Sequence, residues 1–505
     1  MADYFQKQFN WVLFITYGIA ISFLVWHHEM WRDELQAWGI AASSSTLTEL
    51  FQNTRYEGHP MLWFLMLWPL AKITNNPVAV QVLHTGLVLI TAYLIIFRSP
   101  FSILEKVLIL FSYFFLYEYG AIARNYQVGT LLICLICVLW KDRRKNLVKI
   151  SILIFLLMQA NAFACLIGLG LSVGLLFEEL SHKPCWPLTT RQIGSALVIL
   201  TGLYLTSLSV PPPDSSIITV WVDKFDIGTV WFALAGIAHG FLPLTGLDEY
   251  YFWNYSYVPF GLAIKIPLGL LLLAVAFFSM PKDKGAFVVL VACITFIFVF
   301  TYLKPRGNFR HFGHYTIALI AAFWIQGNRT RLTGRNIISV GYFGILVLLI
   351  QLIAGINAYY RDTRYPFSNS RNVADYIKNN YSADVAVAGV FQDVLTGVRW
   401  YLQKPVYGLE TQKYGSYVLF SHKSWNDSLN AQPDSVTYSR YLDFQKKHAP
   451  ALLIMGYHFL PVPDIGHTDT LHTPEGNYLF TCTKKFEGAI TREDYYLFNV
   501  TQLPK

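Results

Sequence analysis

Long apolar stretches separated by short polar breaks fill the chain as far as about residue 357, and beyond that point the pattern changes. A helix needs about 20 apolar residues to cross a bilayer, within a range of roughly 17–25. Runs of this kind lie at 11–27, 78–97, 103–119, 127–140, 192–208, 260–279, 286–303, 312–326 and 337–357. The stretch 147–177 is too long for one helix and is interrupted by Gln159-Ala160-Asn161, which predicts two short helices around a polar break. From 358 onward, short apolar runs at 384–390, 405–409, 417–420 and 451–455 alternate with helical patterns, the first at 370–379. Strands alternating with helices predict a small α/β domain. No glycine-rich phosphate loop accompanies it, so no nucleotide is assigned to it.

Composition sharpens the class. Of 505 residues, 54% are hydrophobic and only 14% charged, against about a quarter charged in soluble domains. Aromatic residues make up 16%, and Trp and Tyr gather where a membrane meets water. The expected protein is therefore a polytopic α-helical membrane protein, and the net charge of +8 belongs to orienting loops rather than to nucleic-acid binding. Basic clusters at 141–145, 183–191, 282–284 and 329–335 are read as cytoplasmic. Counting sides from them leaves the apolar segments 61–74 and 229–244 unable to cross, so both are expected to lie in the plane of the outer face. The result is about eleven crossings, a cytoplasmic N-terminus, a transmembrane module over 1–357 and a periplasmic domain over 358–505. Six cysteines form no framework, and the Cys134/Cys137 spacing inside an apolar helix reads as packing. An outer domain without paired cysteines, together with short loops, suggests a bacterial inner membrane.

With these sides assigned, one surface collects the chemistry. The first outer loop, 28–77, contributes Asp33, Glu34, Glu57 and His59. Later breaks add Glu118, Arg124, Tyr126, Gln159 and Asn161, then the basic group Lys304, Arg306, Arg310, His311 and His314. Ionisable groups at membrane depth are functional candidates by default. A lipid-linked phosphosugar would sit there with its tail in the bilayer and its phosphate at the surface. Departure of that phosphate is eased by positive charge, which Arg124 and the 304–314 group can supply. An attacking hydroxyl must lose a proton, and a carboxylate such as Asp33 or Glu34 can take it, for about 10²–10⁴-fold in rate.

Asp33-Glu34 after the first span, Glu57-Gly58-His59-Pro60-Met61-Leu62, and Ala123-Arg124-Asn125-Tyr126 together resemble the GT-C fold glycosyltransferases that use polyprenyl-phosphate sugars. That group includes the protein O-mannosyltransferases and the aminoarabinose transferase of lipid A. The resemblance covers roughly the first 210 residues by motif and the rest by architecture. It implies inverting transfer at the outer face, from a polyprenyl-phosphate donor to a glycan, lipid or protein acceptor. It also implies Asp33 as base, with Glu34 as its companion. Arg124, His59 and the run of Lys304, Arg306, Arg310 and His311 become donor-phosphate ligands. Glu57, Tyr126 and Asn161 are taken as substrate contacts. The aminoarabinose branch has lysine where His59 stands and one further proline, so donor contacts here differ. No resident cofactor is implied; Asp33, Glu34 and Glu57 are the acids a divalent cation such as Mg²⁺ would use.

Plainer roles stand beside these. Asp33 and Glu34 would also suit the cap of a juxtamembrane helix, His59 a packed interface and Arg124 a contact with lipid headgroups. Gln159 and Asn161 would suit hydrogen bonding between helices, and the aromatic run 250–257 a position at the interface. His27-His28 resembles a metal pair only superficially, since helical neighbours point apart. Two other functions compete. A polysaccharide polymerase or ligase with a diphosphate-linked donor would use an arginine-rich site without an essential first-loop acid. A transporter or lipid-binding protein would show repeats or charges at mid-membrane.

Overall fold

The structure is a computed structural model, which describes residues 2–181, 188–216, 221–246, 250–254, 261–279, 283–304, 307–332, 341–390, 392–422, 434–448, 450–456, 464–474 and 476–504. Its first part is helical. After α1 (Ala2–His27) come three short helices, α2 (Arg32–Ser43), α3 (Leu47–Asn53) and α4 (Leu62–Ile73). The bundle continues with α5 (Val78–Arg98), α6 (Ile103–Leu110), a π-helix (Tyr113–Glu118), α7 (Tyr126–Trp140), α8 (Leu147–Met158), α9 (Ala162–Leu180) and α10 (Thr190–Ser207). It closes with α11 (Ile227–Phe241), α12 (Gly261–Ser279), α13 (Lys284–Leu303), α14 (Phe309–Leu332) and α15 (Gly341–Asp362). Six of the described helices are long and apolar enough to cross a membrane. Their outward faces are apolar too: Val12, Ile19, Val82, Leu271, Phe278 and Ile353 are exposed. Water would make such a surface costly and hydrocarbon does not, so this is an integral membrane protein.

Several local expectations meet their physical reason here. The break at Gln159-Ala160-Asn161 separates α8 from α9, and the Asn161 side chain accepts the N–H of Ala164 to cap α9 at 2.8 Å. Gln159 holds helices together, donating to Gly202 O at 2.8 Å and Thr206 Oγ1 at 2.9 Å. The segment 103–119 is not one helix. It breaks at Phe111-Ser112, after which the π-helix carries Glu118 inward. A straight helix would not widen at that point; inserted π turns do so and gather at functional sites.

The second part is a seven-stranded sheet in the order β3-β2-β1-β4-β7-β6-β5. Its strands are β1 (Ala386–Gly389), β2 (Val406–Gly408), β3 (Lys413–Gly415), β4 (Ala451–Gly456), β5 (Thr468–Thr473), β6 (Gly476–Phe486) and β7 (Tyr495–Gln502). Helices α16 (Ser370–Asn380), α17 (Gln392–Leu402) and α18 (Asp434–Lys447) complete it. β1 runs parallel to β2 and β4, and every other pairing is antiparallel. Alternation along β4 builds two cores, with Leu452 and Ile454 beside α16 and α17, and Leu453 and Met455 beside α18. The expected strand at 417–420 is absent, and β3 forms a few residues earlier. Val418 instead makes hydrogen bonds with α2, described next.

Candidate active site

α2 is the element around which the site is built. Its first turn holds Asp33 and Glu34, where the exposed N–H groups of a helix favour acids. Adjacent helical positions point about 100° apart, so the two acids part company. Asp33 is partly exposed and lines a cavity of about 340 Å³. Glu34 is fully buried and lines neither this cavity nor its neighbour.

Two arginines meet at Asp33. Arg124 Nη1 donates to its Oδ2 at 2.8 Å, and Arg310 Nη2 lies 3.7 Å from the same oxygen. Burial pushes the Asp33 carboxyl up, but Arg124, Arg310 and Arg32 outweigh it and hold it below the usual carboxylate value. Both guanidiniums also lie over the Trp31 ring, at 6.0 and 5.9 Å, and Arg310 lies over Trp253 at 5.9 Å. Trp253 is fixed in turn by donating to Glu118 at 3.0 Å, and Glu118 also accepts from Tyr113 at 2.8 Å. Trp253, from the aromatic run expected at the interface, is therefore buried behind Arg310 and lines neither cavity. Aromatic faces hold cations without neutralising them, leaving the arginines able to bind an anion.

A second cavity, of about 580 Å³, shares Glu57, His59, Arg124 and Arg310 with the first. It adds Tyr126, Asn161, Lys304 and His311, with Phe163, Phe232 and Phe300 as apolar walls. His311 stacks on Phe163 with centroids 4.9 Å apart. The turn at Glu57-Gly58-His59 depends on Gly58, whose φ of +67° suits a residue without Cβ. That turn points both neighbours into the shared region. Gln36 donates to Glu57 Oε1 at 2.8 Å. Burial pushes the Glu57 carboxyl up to about 7, despite that hydrogen bond. His59 goes the other way: burial, then Arg124 and Arg310, bring it down to about 3. It is thus a neutral ring at pH 7 rather than a cation. His59 Nδ1, Arg310 Nε and Asn161 Nδ2 are buried without a hydrogen-bond partner among the described residues.

The sheet domain supplies the remaining wall of the first cavity through Asp393, Val418 and Phe420. It is anchored to α2. Arg32 Nη1 donates to Asp393 at 2.6 Å, Gln36 exchanges two hydrogen bonds with the backbone of Val418, and Tyr401 accepts from Met30 N at 2.8 Å. A side chain at Gly39 would collide with the carbonyl of Ser416, so the two surfaces touch backbone to backbone.

Of the residues expected from sequence, Asp33, Glu57, His59, Arg124, Tyr126, Asn161, Lys304, Arg310 and His311 line these two cavities. Arg306 lies outside the described residues. Asp33 and Glu57 share a cavity, but Glu34 does not join them. No group of three His, Cys, Asp or Glu suited to a metal ion occurs among the described residues. Sequence reasoning gave no site role to Trp31, Gln36 or the residues from the sheet domain, and placed Trp253 only at the interface. Trp31 carried a signal, standing next to Arg32 at the start of the acidic motif, whereas Trp253 has no arginine near it in the sequence. Asp393 and Val418 carried none.

The helical bundle, its apolar outer face and the double cavity define an integral membrane protein in which arginines and a lysine line a cavity beside a carboxylate. No family model and no curated protein matches the chain. Two solved structures are similar to it in shape. One is ArnT from Cupriavidus metallidurans bound to undecaprenyl phosphate, at 13% identity and a TM-score of 0.47, covering 100% of both chains. The other is the same protein in the apo state, at 13% identity and a TM-score of 0.45, covering 96% of this chain and 97% of that one.

Proposed function

We propose that the protein is an inverting glycosyltransferase that moves a sugar from a polyprenyl-phosphate donor to an acceptor at the outer face of a membrane. One observation carries this reading. A single carboxylate, Asp33, is kept ionised by Arg124 and Arg310 where a mixed-charge cavity meets a cationic one. The cationic cavity takes the donor phosphate on Arg124, Arg310, Lys304 and the N–H groups of His59 and Asn161, with Phe232 and Phe300 beside the start of the lipid chain. The first cavity takes the acceptor. Asp33 accepts the proton of its hydroxyl as that oxygen attacks the anomeric carbon. The bond from that carbon to phosphate oxygen breaks, and the phosphate leaves with both electrons onto the arginines. One displacement with one base inverts the centre. The aromatic, partly dry walls raise the value of each charge contact.

The test is mass spectrometry of glycolipids and surface glycans from a host lacking the gene, restored with wild type or with Asp33→Asn. Loss of one defined sugar, restored by wild type alone, supports transfer and names the acceptor. An unchanged profile in the deletion strain and in every strain derived from it counts against the reading.

A further inference from the structure

Glu34 does not face substrate, so its role lies in what it holds. Oε1 accepts the backbone N–H of Ala123 at 2.6 Å. Oε2 accepts the N–H of Trp31 at 3.1 Å and meets His28 Nε2 at 3.2 Å. On the other side of the ring, His28 Nδ1 meets Asp362 Oδ2 at 2.7 Å. All three side chains are shut off from solvent. A carboxylate only accepts hydrogen bonds when ionised, so a ring between two of them carries both protons. Burial opposes that charge, yet Asp362 and Glu34 outweigh it and raise the His28 pKa to about 10.

Chain neighbours give this cluster its meaning. Ala123 precedes Arg124, and Glu34 follows Asp33. The two segments are therefore tied twice, once through Glu34 and Ala123 in the interior and once through Asp33 and Arg124 at the cavity, 2.8 Å apart. Asp362 is the last residue of α15, where the chain turns toward the sheet domain. A buried ionic triad is a poor way to gain stability, because removing three charges from water offsets most of their attraction. Its clearest return is a fixed geometry.

We propose that Glu34, His28 and Asp362 are positioning residues that pin the backbone of Ala123, so that Arg124 meets Asp33 in a register set by the end of α15. The inference rests on the reading of Arg124 as a phosphate ligand. Asp362→Asn is the informative variant, since Asp362 is two side chains away from Ala123. The full-length protein in lipid nanodiscs is compared by hydrogen exchange over residues 119–126 and by its affinity for polyprenyl phosphate.

Asp362→Asn speeds exchange at Ala123 and Arg124 by about tenfold or more while α9 keeps its protection. It weakens polyprenyl phosphate binding about tenfold in the wild-type background and less than about twofold beside Arg124→Ala. Unchanged exchange at 119–126, or equal loss of affinity in both backgrounds, overturns the proposal. If Asp362→Asn does not fold, Glu34→Gln and Glu34→Ala decide. The glutamine oxygen still accepts from Ala123 and keeps its protection, whereas alanine loses it; equal exchange in the two overturns the proposal. Should the wild-type protein fail to bind polyprenyl phosphate, the functional reading falls, and the exchange measurements still decide whether the relay pins Ala123.

Discussion

The two cavities share Glu57, His59, Arg124 and Arg310, but their other walls differ in kind. The smaller one has carboxylates from Asp33 and Asp393 and backs onto the sheet domain. The larger adds Lys304 to the shared cations and the ring of His311, takes no carboxylate beyond Glu57 among the described residues, and is walled by Phe163, Phe232 and Phe300 from three helices of the bundle. On the proposed reading, one side takes up a proton and the other accepts negative charge. A reaction that creates a proton at one atom and a phosphate at another needs that asymmetry, and it needs the shared residues to sit between the two events.

Removing charge from each side should therefore act in opposite directions. Asp33→Asn has the largest expected effect: transfer falls by about 10²–10⁴-fold, the range of a lost general base. Affinity for polyprenyl phosphate holds or rises, because Arg124 and Arg310 lose their internal competitor. Arg310→Ala does the reverse to binding and weakens polyprenyl phosphate by roughly tenfold to a hundredfold, the scale of about 1.5–3 kcal/mol for a charged hydrogen bond. Titration of both variants with the lipid in nanodiscs, beside single-turnover rates, checks the pair. Equal loss of affinity in both would erase the distinction between the cavities.

Glu57 belongs to both sides, so its titration sharpens the comparison further. With its carboxyl raised to about 7, it is mostly neutral at pH 6 and mostly ionised at pH 8. Ionisation places a negative charge beside the phosphate, so affinity is lost as pH rises through about 7. The lipid phosphate gains its own second charge near pH 6 and strengthens binding over the same range. The difference between wild type and Glu57→Gln isolates the side chain. We expect wild type to lose about tenfold relative to the glutamine variant between pH 6 and 8. Parallel pH profiles would remove Glu57 from the phosphate's surroundings.

The same asymmetry explains what the sequence could convey. Helices announced themselves by length and hydropathy, and counting sides from the basic loops put Arg124 and the 304–314 group with Asp33; Arg124 and Arg310 meet it, Lys304 and His311 line the adjoining cavity, and Arg306 lies outside the described residues. Strands β1, β2 and β4 were legible as short apolar runs, whereas β5 and β6 mix polar and half-buried residues, and the buried run Tyr495–Phe498 of β7 went unread. The split between Asp33 and Glu34 was not legible. Two adjacent acids look alike until the helix turns one toward the cavity and the other toward Ala123 and His28. Nor could any local pattern show that Asp393 and Val418, more than 350 residues later, would complete a wall started by α2.

Asn161 gives the smallest and most discriminating test of the larger cavity. Its Oδ1 caps α9 and its buried Nδ2 has no partner among the described residues, so one side chain holds two separable roles. Asn161→Asp keeps an acceptor for the Ala164 N–H and exchanges the donor for an oxygen that repels phosphate. Asn161→Ala removes both and costs about 1 kcal/mol of stability, as lost helix caps do. If Nδ2 touches the donor, the aspartate variant melts like wild type yet binds polyprenyl phosphate several-fold more weakly, by about 1 kcal/mol. It then binds worse than the alanine variant despite being the more stable of the two. A ranking in which affinity follows stability would make Asn161 a cap alone and leave Arg124, Arg310 and Lys304 to hold the phosphate.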